Sequence, residues 1–138
     1  MSVMLHRDYF VGLVNMPQTE RQKVGQTGED VACEFLVKRG YEVVDRNYRK
    51  KWGEIDIVAK KEKKIYFIEV KTVSRVTNYL PEENVHPWKL KRLGRAIQTY
   101  LLERKVSGET EWQFDVMAVF LDFNTRKARI RTVENVII

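Results

Sequence analysis

Two apolar runs, Ile55 to Ala59 and Ile65 to Val70, flank the charged linker Lys60-Lys61-Glu62-Lys63-Lys64. Short runs rich in Ile, Val, Phe and Tyr predict buried strands, and so short a linker predicts a hairpin. Asp56, Glu69 and Lys71 interrupt the apolar runs. Burying an ion without a partner is very costly, so these charges either satisfy one another or bind something. Pairing Lys60 with Ile65 sets Asp56 opposite Glu69, and directly opposed residues have Cβ atoms about 5 Å apart. Side chains alternate along a strand, so Glu69 and Lys71 share a face. A slip of one residue would turn Glu69 to the other side.

The chain has 138 residues, enough for one domain with a real core. Its net charge of +6 and pI of about 9.5 favour an anionic partner, nucleic acid first. Cys33 is the sole cysteine, which excludes an internal disulfide and suits a reducing cytoplasm. On a helix such a residue is expected to be a small core side chain. His6 and His86 are the only histidines and both fall in loop-like stretches, so a histidine-rich metal site is not expected. No run approaches the roughly 18 apolar residues of a membrane span, so no membrane partner is expected. Tyr9 to Val14 is a short apolar patch without a cleavage pattern, and it reads as part of a tail rather than a signal peptide.

Residues 1–18 show no sustained period and are expected to form an N-terminal tail, disordered or capping the core through Phe10 and Leu13. A single domain is expected over 19–138. Thr19, with Gln22 three residues on, predicts a helix start; the helix runs to Arg39 and stops at Gly40. Val31, Ala32, Phe35 and Leu36 form its apolar stripe, with Glu29 at the edge and Asp30 and Glu34 elsewhere. Tyr41 to Asn47 predicts a strand ahead of the hairpin. Ser74 to Pro87 reads as a surface loop. Trp88 to Lys105 predicts a second helix, because Leu93, Ala96, Ile97, Tyr100 and Leu101 keep helical spacing. Glu111 to Asp122 and Lys127 to Val133 predict two more strands, with Val136, Ile137 and Ile138 docking on the core. A hairpin set between helices predicts an α/β fold, a mixed sheet covered on both faces.

The order Asp56, then Glu69-Val70-Lys71, resembles the D…(D/E)-x-K signature of restriction-endonuclease-like nucleases. Gly25-Gln26-Thr27-Gly28-Glu29, Tyr41 to Arg46, Gly53-Glu54-Ile55-Asp56 and Glu69-Val70-Lys71 narrow the match. Together they resemble the YraN-like family of predicted bacterial endonucleases, relatives of archaeal Holliday junction resolvases, over residues 20–135. The resemblance implies a restriction-endonuclease-like central mixed sheet flanked by helices, a divalent metal, and cleavage of DNA. Matched by position, it makes Asp56 and Glu69 metal ligands, Lys71 the catalytic lysine and Glu29 the helix-borne acid beside the metal. Gln98 would match a glutamine that some members of the superfamily carry on the second helix. The resolvase relatives act as dimers, so the resemblance admits a homodimer, although no stretch identifies an interface.

The chemistry agrees with that pattern. Mg²⁺, or Mn²⁺ in its place, takes oxygen ligands from one or two carboxylates and keeps several waters. Asp56 and Glu69 supply the carboxylates, and the Val70 carbonyl is a third candidate donor. Lys71 is placed to orient water or to neutralise charge. The competing reading pairs Lys71 with Asp56 or Glu69 in a salt bridge and has no metal. Glu54 can join Asp56 as an accessory acid, although a strand-entry position favours exposure. Asp115 is expected to be structural or to stand behind the metal ligands and support them. Lys89, Lys91, Arg92 and Arg95 are candidate phosphate contacts. Trp52, Tyr79 and Trp88 are expected at the core or its rim rather than as base-stacking platforms. A non-catalytic DNA-binding module and a protein-interaction adaptor are the alternatives to an endonuclease.

Overall fold

The computed structural model describes residues 5–14, 16, 21–74 and 86–138; of residues 21–23 only the helical backbone is described. The helix cap expected at Thr19, and Tyr79 and the prolyl-acidic stretch of the expected loop, lie outside these residues. The elements follow as β1 (Leu5–Leu13), α1 (Arg21–Lys38), β2 (Glu42–Lys50), β3 (Gly53–Lys61), β4 (Lys64–Val73), α2 (Pro87–Glu103), β5 (Trp112–Asp122) and β6 (Lys127–Glu134). They build one six-stranded sheet in the order β1-β6-β5-β4-β3-β2. Only β4 and β5 run parallel among the neighbours. A parallel pair requires a long crossover, and α2 lies in that connection.

Both faces of the sheet are covered, as expected for strands apolar on both sides. On one face Val31, Ala32 and Leu36 of α1 meet Ile57, Ala59, Ile68, Met117, Val119 and Ile130. On the other, Leu93, Ala96, Ile97 and Tyr100 of α2 meet Ile55, Val58, Ile65, Phe67, Phe114 and Val116. Fully buried Phe67 is worth about 1.5–3 kcal/mol relative to exposure. The C-terminal half of α2 is tied to β2: Tyr48 Oη donates to Glu103 at 2.7 Å, Tyr100 Oη donates to Asp45 at 2.8 Å, and Lys50 pairs with Glu103 at 2.6 Å. Those anchors hold the N-terminal half of α2 over the far end of β3. A mixed sheet between two helices, with this order, is an α/β restriction-endonuclease-like fold.

The expected N-terminal tail is corrected by β1. Leu5–Leu13 pairs antiparallel with β6 at the sheet edge. Phe10 and Leu13 do not cap the core; they are 73% and 77% exposed. Tyr9, Val11 and Val14 pack instead on the α1-side core. The strand is held by its backbone ladder and by charge pairs, Arg7 to Glu134 at 3.0 Å and Asp8 to Arg131 at 3.3 Å. Charged edge strands of this kind resist adding further strands, and charges interleaved with apolar residues erase the period. The register shifts between Phe10 and Gly12, and Gly12 takes φ +87° there, a backbone that glycine adopts without steric cost.

Elsewhere element ends move by a few residues. The first predicted strand extends from Asn47 to Lys50, since Tyr48 is buried against α2. At the C-terminus Val136 docks, its N–H bonded to the Phe114 carbonyl at 2.7 Å, while Ile137 and Ile138 stay exposed.

Candidate metal centre and its basic cleft

The hairpin has the expected register. Lys60 faces Ile65, and the ladder runs to Ile57 facing Ile68. Glu62 and Lys63 close it with φ of 51° and 66°, the left-handed pair that tight two-residue hairpins use. Asp56 and Glu69 come next in the same register, but there the ladder changes character. The Val70 N–H donates to Asp56 Oδ2 at 2.8 Å, so a side chain takes an amide that a strand carbonyl would otherwise take. Ile55 belongs to the α2-side core and Ile57 to the α1-side core. Residues two apart should share a face, so the alternation breaks at Asp56. The expected meeting of Asp56 and Glu69 on one regular face is therefore replaced by a gap at which β3 and β4 part.

Burial pushes the Asp56 carboxyl up to about 7; the Val70 amide opposes this, and Glu69, Glu29 and Glu54 raise it further. Among the described residues no lysine forms an ion pair with Asp56. Lys71 is exposed and, among the described residues, makes no hydrogen bond or ion pair. The salt bridge of Lys71 with Asp56 or Glu69 is thus absent. Glu69 pairs instead with Lys89 of α2, Nζ to Oε1 at 2.9 Å.

Glu29 approaches from the α1 side. Its Oε1 is sealed from solvent without a hydrogen-bond partner. Arg46 Nη2 stands 3.8 Å from it and bonds Asp30 at 2.9 Å instead. Sequence reasoning passed over Arg46, although an ionisable residue inside a predicted strand is the same signal that singled out Asp56. Among the described residues no three His, Cys, Asp or Glu side chains lie close enough to share a metal ion. The group is accordingly two carboxylates, Asp56 and Glu69, beside the Val70 backbone, with Glu29 at the rim rather than in a common shell. A carboxylate oxygen sealed without a hydrogen-bond donor, and a carboxyl crowded by other acids, fit a hard divalent cation with oxygen ligands and several retained waters.

The first half of α2 borders this group. A cleft of about 550 Å³ is lined by Arg49, Lys50, Gly53, Glu54, Glu69, His86, Trp88, Lys89, Arg92 and Leu93. Glu54 is exposed and pairs with Arg49 at 3.4 Å. Arg92 Nε donates to the Trp52 carbonyl at 3.1 Å, and the Arg95 guanidinium lies 4.7 Å from the Trp52 ring centre. Trp52 is thereby committed to α2, as a rim residue, and Trp88 is 63% exposed. Lys91 is exposed, with no ion pair among the described residues. Gln98 is not brought to the site; it lines a separate hollow with Leu101, Leu102 and Trp112. The helical twist turns that position away from the face that Leu93, Ala96 and Ile97 bury.

Two glycines bring the helices this close. A methyl at Gly28 would overlap the Thr72 side chain, one residue past Lys71, and a methyl at Gly53 would stand 2.7 Å from the Arg92 carbonyl oxygen. Helix α1 meets β4 at the first, and α2 meets β3 at the second. Glu29 follows the first contact directly in sequence, and Asp56 lies three residues past the second.

Among the described residues no helix is long and apolar enough to cross a membrane. Comparison with known proteins gives consistent relatives. A UPF0102 protein of Moorella thermoacetica is 42% identical over 119 residues, covering 86% of this chain and 98% of the relative. One of Alkaliphilus oremlandii is 40% identical over 116 residues, covering 83% and 97%. One of Caldicellulosiruptor bescii is 33% identical over 114 residues, covering 83% and 96%. The model of an uncharacterised protein family, UPF0102, matches residues 28–119, from the Gly28 contact through the site and on into β5, and the chain belongs to that family.

Proposed function

We propose that this protein is a metal-dependent DNA endonuclease, hydrolysing phosphodiester bonds, with branched or flapped DNA as the candidate substrate. The observation that carries the reading is Asp56 at the parting of β3 and β4. One of its oxygens is fixed by the Val70 N–H, and Glu69 and Glu29 crowd it, while among the described residues no cation pairs with Asp56 itself. An ion cluster built for stability would pair Asp56 with a cation, because an uncompensated buried charge costs about 3–5 kcal/mol. Asp56, Glu69 and the Val70 carbonyl would hold Mg²⁺ or Mn²⁺, with Glu29 orienting a water at the edge. The bound ion would polarise the phosphate and acidify a water.

The chain's own groups supply the rest. Lys71 shares the Glu69 face by strand alternation and is free of partners among the described residues, so its ammonium is available to orient the attacking water and to stabilise charge on the phosphate oxygens. In the reaction the water oxygen bonds to phosphorus, one P–O ester bond breaks, and a proton ends on the leaving oxygen. The N-terminal half of α2 favours the polyanion. No acidic residue stands in its first turn, and Lys89, Lys91 and Arg92 add to the positive end of the helix dipole.

The test is incubation with linear, flapped and four-way DNA, with Mg²⁺, Mn²⁺ or chelator. Cleavage that chelator abolishes is expected. Asp56→Asn should lose metal affinity and cleavage together. Lys71→Ala should keep metal affinity while the chemical step slows by about 10²-fold or more. Both should still bind DNA. A wild type that neither binds metal nor cuts any of these substrates would leave the fold as a DNA-binding module.

A further inference from the structure

Glu69 already has a counter-ion. Lys89 Nζ lies 2.9 Å from its Oε1, with side chains 32% and 17% exposed. Among the described residues each is the other's only ion-pair partner. Lys89 stands in the first turn of α2, whose N-cap, His86, makes no side-chain cap bond. A cation there opposes the helix dipole, so helix stability does not account for it; the Glu69 carboxylate does. The pair lies on the wall of the cleft that Arg92 and Arg49 also line. A divalent ion on Glu69 would therefore strip Lys89 of its partner beside other cations. A phosphate in the cleft would give it a new one.

We propose that Lys89 is the resident counter-ion of Glu69 and exchanges partners when DNA binds, the phosphate taking the ammonium as a divalent ion takes the carboxylate. The proposal rests on the metal-dependent nuclease reading and adds a coupling to it. Free protein binds metal weakly because Lys89 competes for Glu69. DNA relieves that competition, so metal and DNA raise each other's affinity by the same factor. The site is thereby completed only on its substrate.

Calorimetric titration with Ca²⁺, which takes the same oxygen donors, tests this with and without intact duplex DNA. Without DNA, Lys89→Gln should bind Ca²⁺ about ten- to a hundredfold more tightly than wild type, the range for loss of one charge-assisted hydrogen bond. Lys89→Met, which keeps the apolar stem, should behave alike. Wild type should gain a similar factor when DNA is added, and the Lys89 variants should gain little. Arg92→Gln removes the same charge from the same cleft but not from Glu69, and should change Ca²⁺ affinity by less than about twofold, as expected for a screened charge. Equal affinities for Lys89→Gln and wild type, or an equal shift in Arg92→Gln, would overturn the exchange. A wild type that binds no Ca²⁺ in either condition would overturn the nuclease reading itself.

Discussion

Asp56 and Asp115 are both carboxylates set inside apolar strands, and they are satisfied differently. Asp115 Oδ1 accepts from the Asn135 N–H at 2.8 Å and from Gln113 Nε2 at 2.7 Å. It is a structural group, joining β5 to the end of β6. Asp56 receives one amide and faces other acids. Under the proposed metal-dependent reading, the difference separates a folding role from a binding role at the scale of single atoms. Burial holds the Asp115 carboxyl at about 6, against an ordinary 3.8, with the Asn135 and Gln113 bonds opposing the shift. A raised carboxyl pKa means that the ionised form is the costly one in the folded state. Above pH 6 the cost is fully present. As pH falls from 6 towards 4 the folded protein takes up a proton that the unfolded chain does not, and the cost disappears. The gap amounts to about 3 kcal/mol. Melting temperatures of wild type and Asp115→Asn should therefore differ most at pH 7.5, in favour of Asn, and converge by about pH 3. A difference that stays flat across that range would refute the assignment.

At the scale of elements, the glycines of α1 have opposite roles that helix propensity cannot separate. Gly25 has nothing within 4 Å of the position a Cβ would take, whereas Gly28 would drive one into Thr72 on β4. Gly25→Ala should stabilise the protein by about 0.5–1 kcal/mol through helix propensity alone. Gly28→Ala should destabilise it by about 1–3 kcal/mol, because α1 must lift from the sheet. Lifting α1 also withdraws Glu29 from the rim of the site. Urea denaturation of the two variants measures the contrast, and equal effects of either sign would show that Gly28 is not a docking point. The glycines ahead of Glu29 and Asp56 thus serve the site through backbone approach rather than chemistry.

For the whole molecule, the charge distribution matters more than the total of +6. Several cations are spent on structure: Arg46 on Asp30, Lys50 on Glu103, Arg131 on Asp8. Lys91 and Lys71 stay free among the described residues, on the side of the sheet that α2 covers. If that side meets DNA, Lys91→Ala should lower the slope of log K against log salt by about 1, the share of a single phosphate contact. Arg95→Ala should weaken binding and also loosen Trp52, which rests against its guanidinium. Fluorescence anisotropy between about 50 and 200 mM salt reads both effects. An unchanged slope for Lys91→Ala would return that face to solvent.

Much of this architecture is local in origin, which is why the sequence alone could determine it. The register of β3 and β4 follows from a two-residue turn and from apolar residues that one slip would expose. The stripe of α2 follows from helical spacing, and the crossover from the parallel pair it serves. What only the tertiary structure decided depends on residues far apart in the chain. Edge strand β1 is fixed by β6, about 120 residues later, through a ladder that needs no apolar period. The break in alternation at Asp56 arises where a side chain, not a carbonyl, takes the Val70 amide. The partner of Glu69 is Lys89 rather than neighbouring Lys71, because α2 reaches across the end of β4 while strand geometry leaves Lys71 exposed. Periodicity specifies which face a residue occupies; which charge meets it there is set by how closely two helices can approach one sheet.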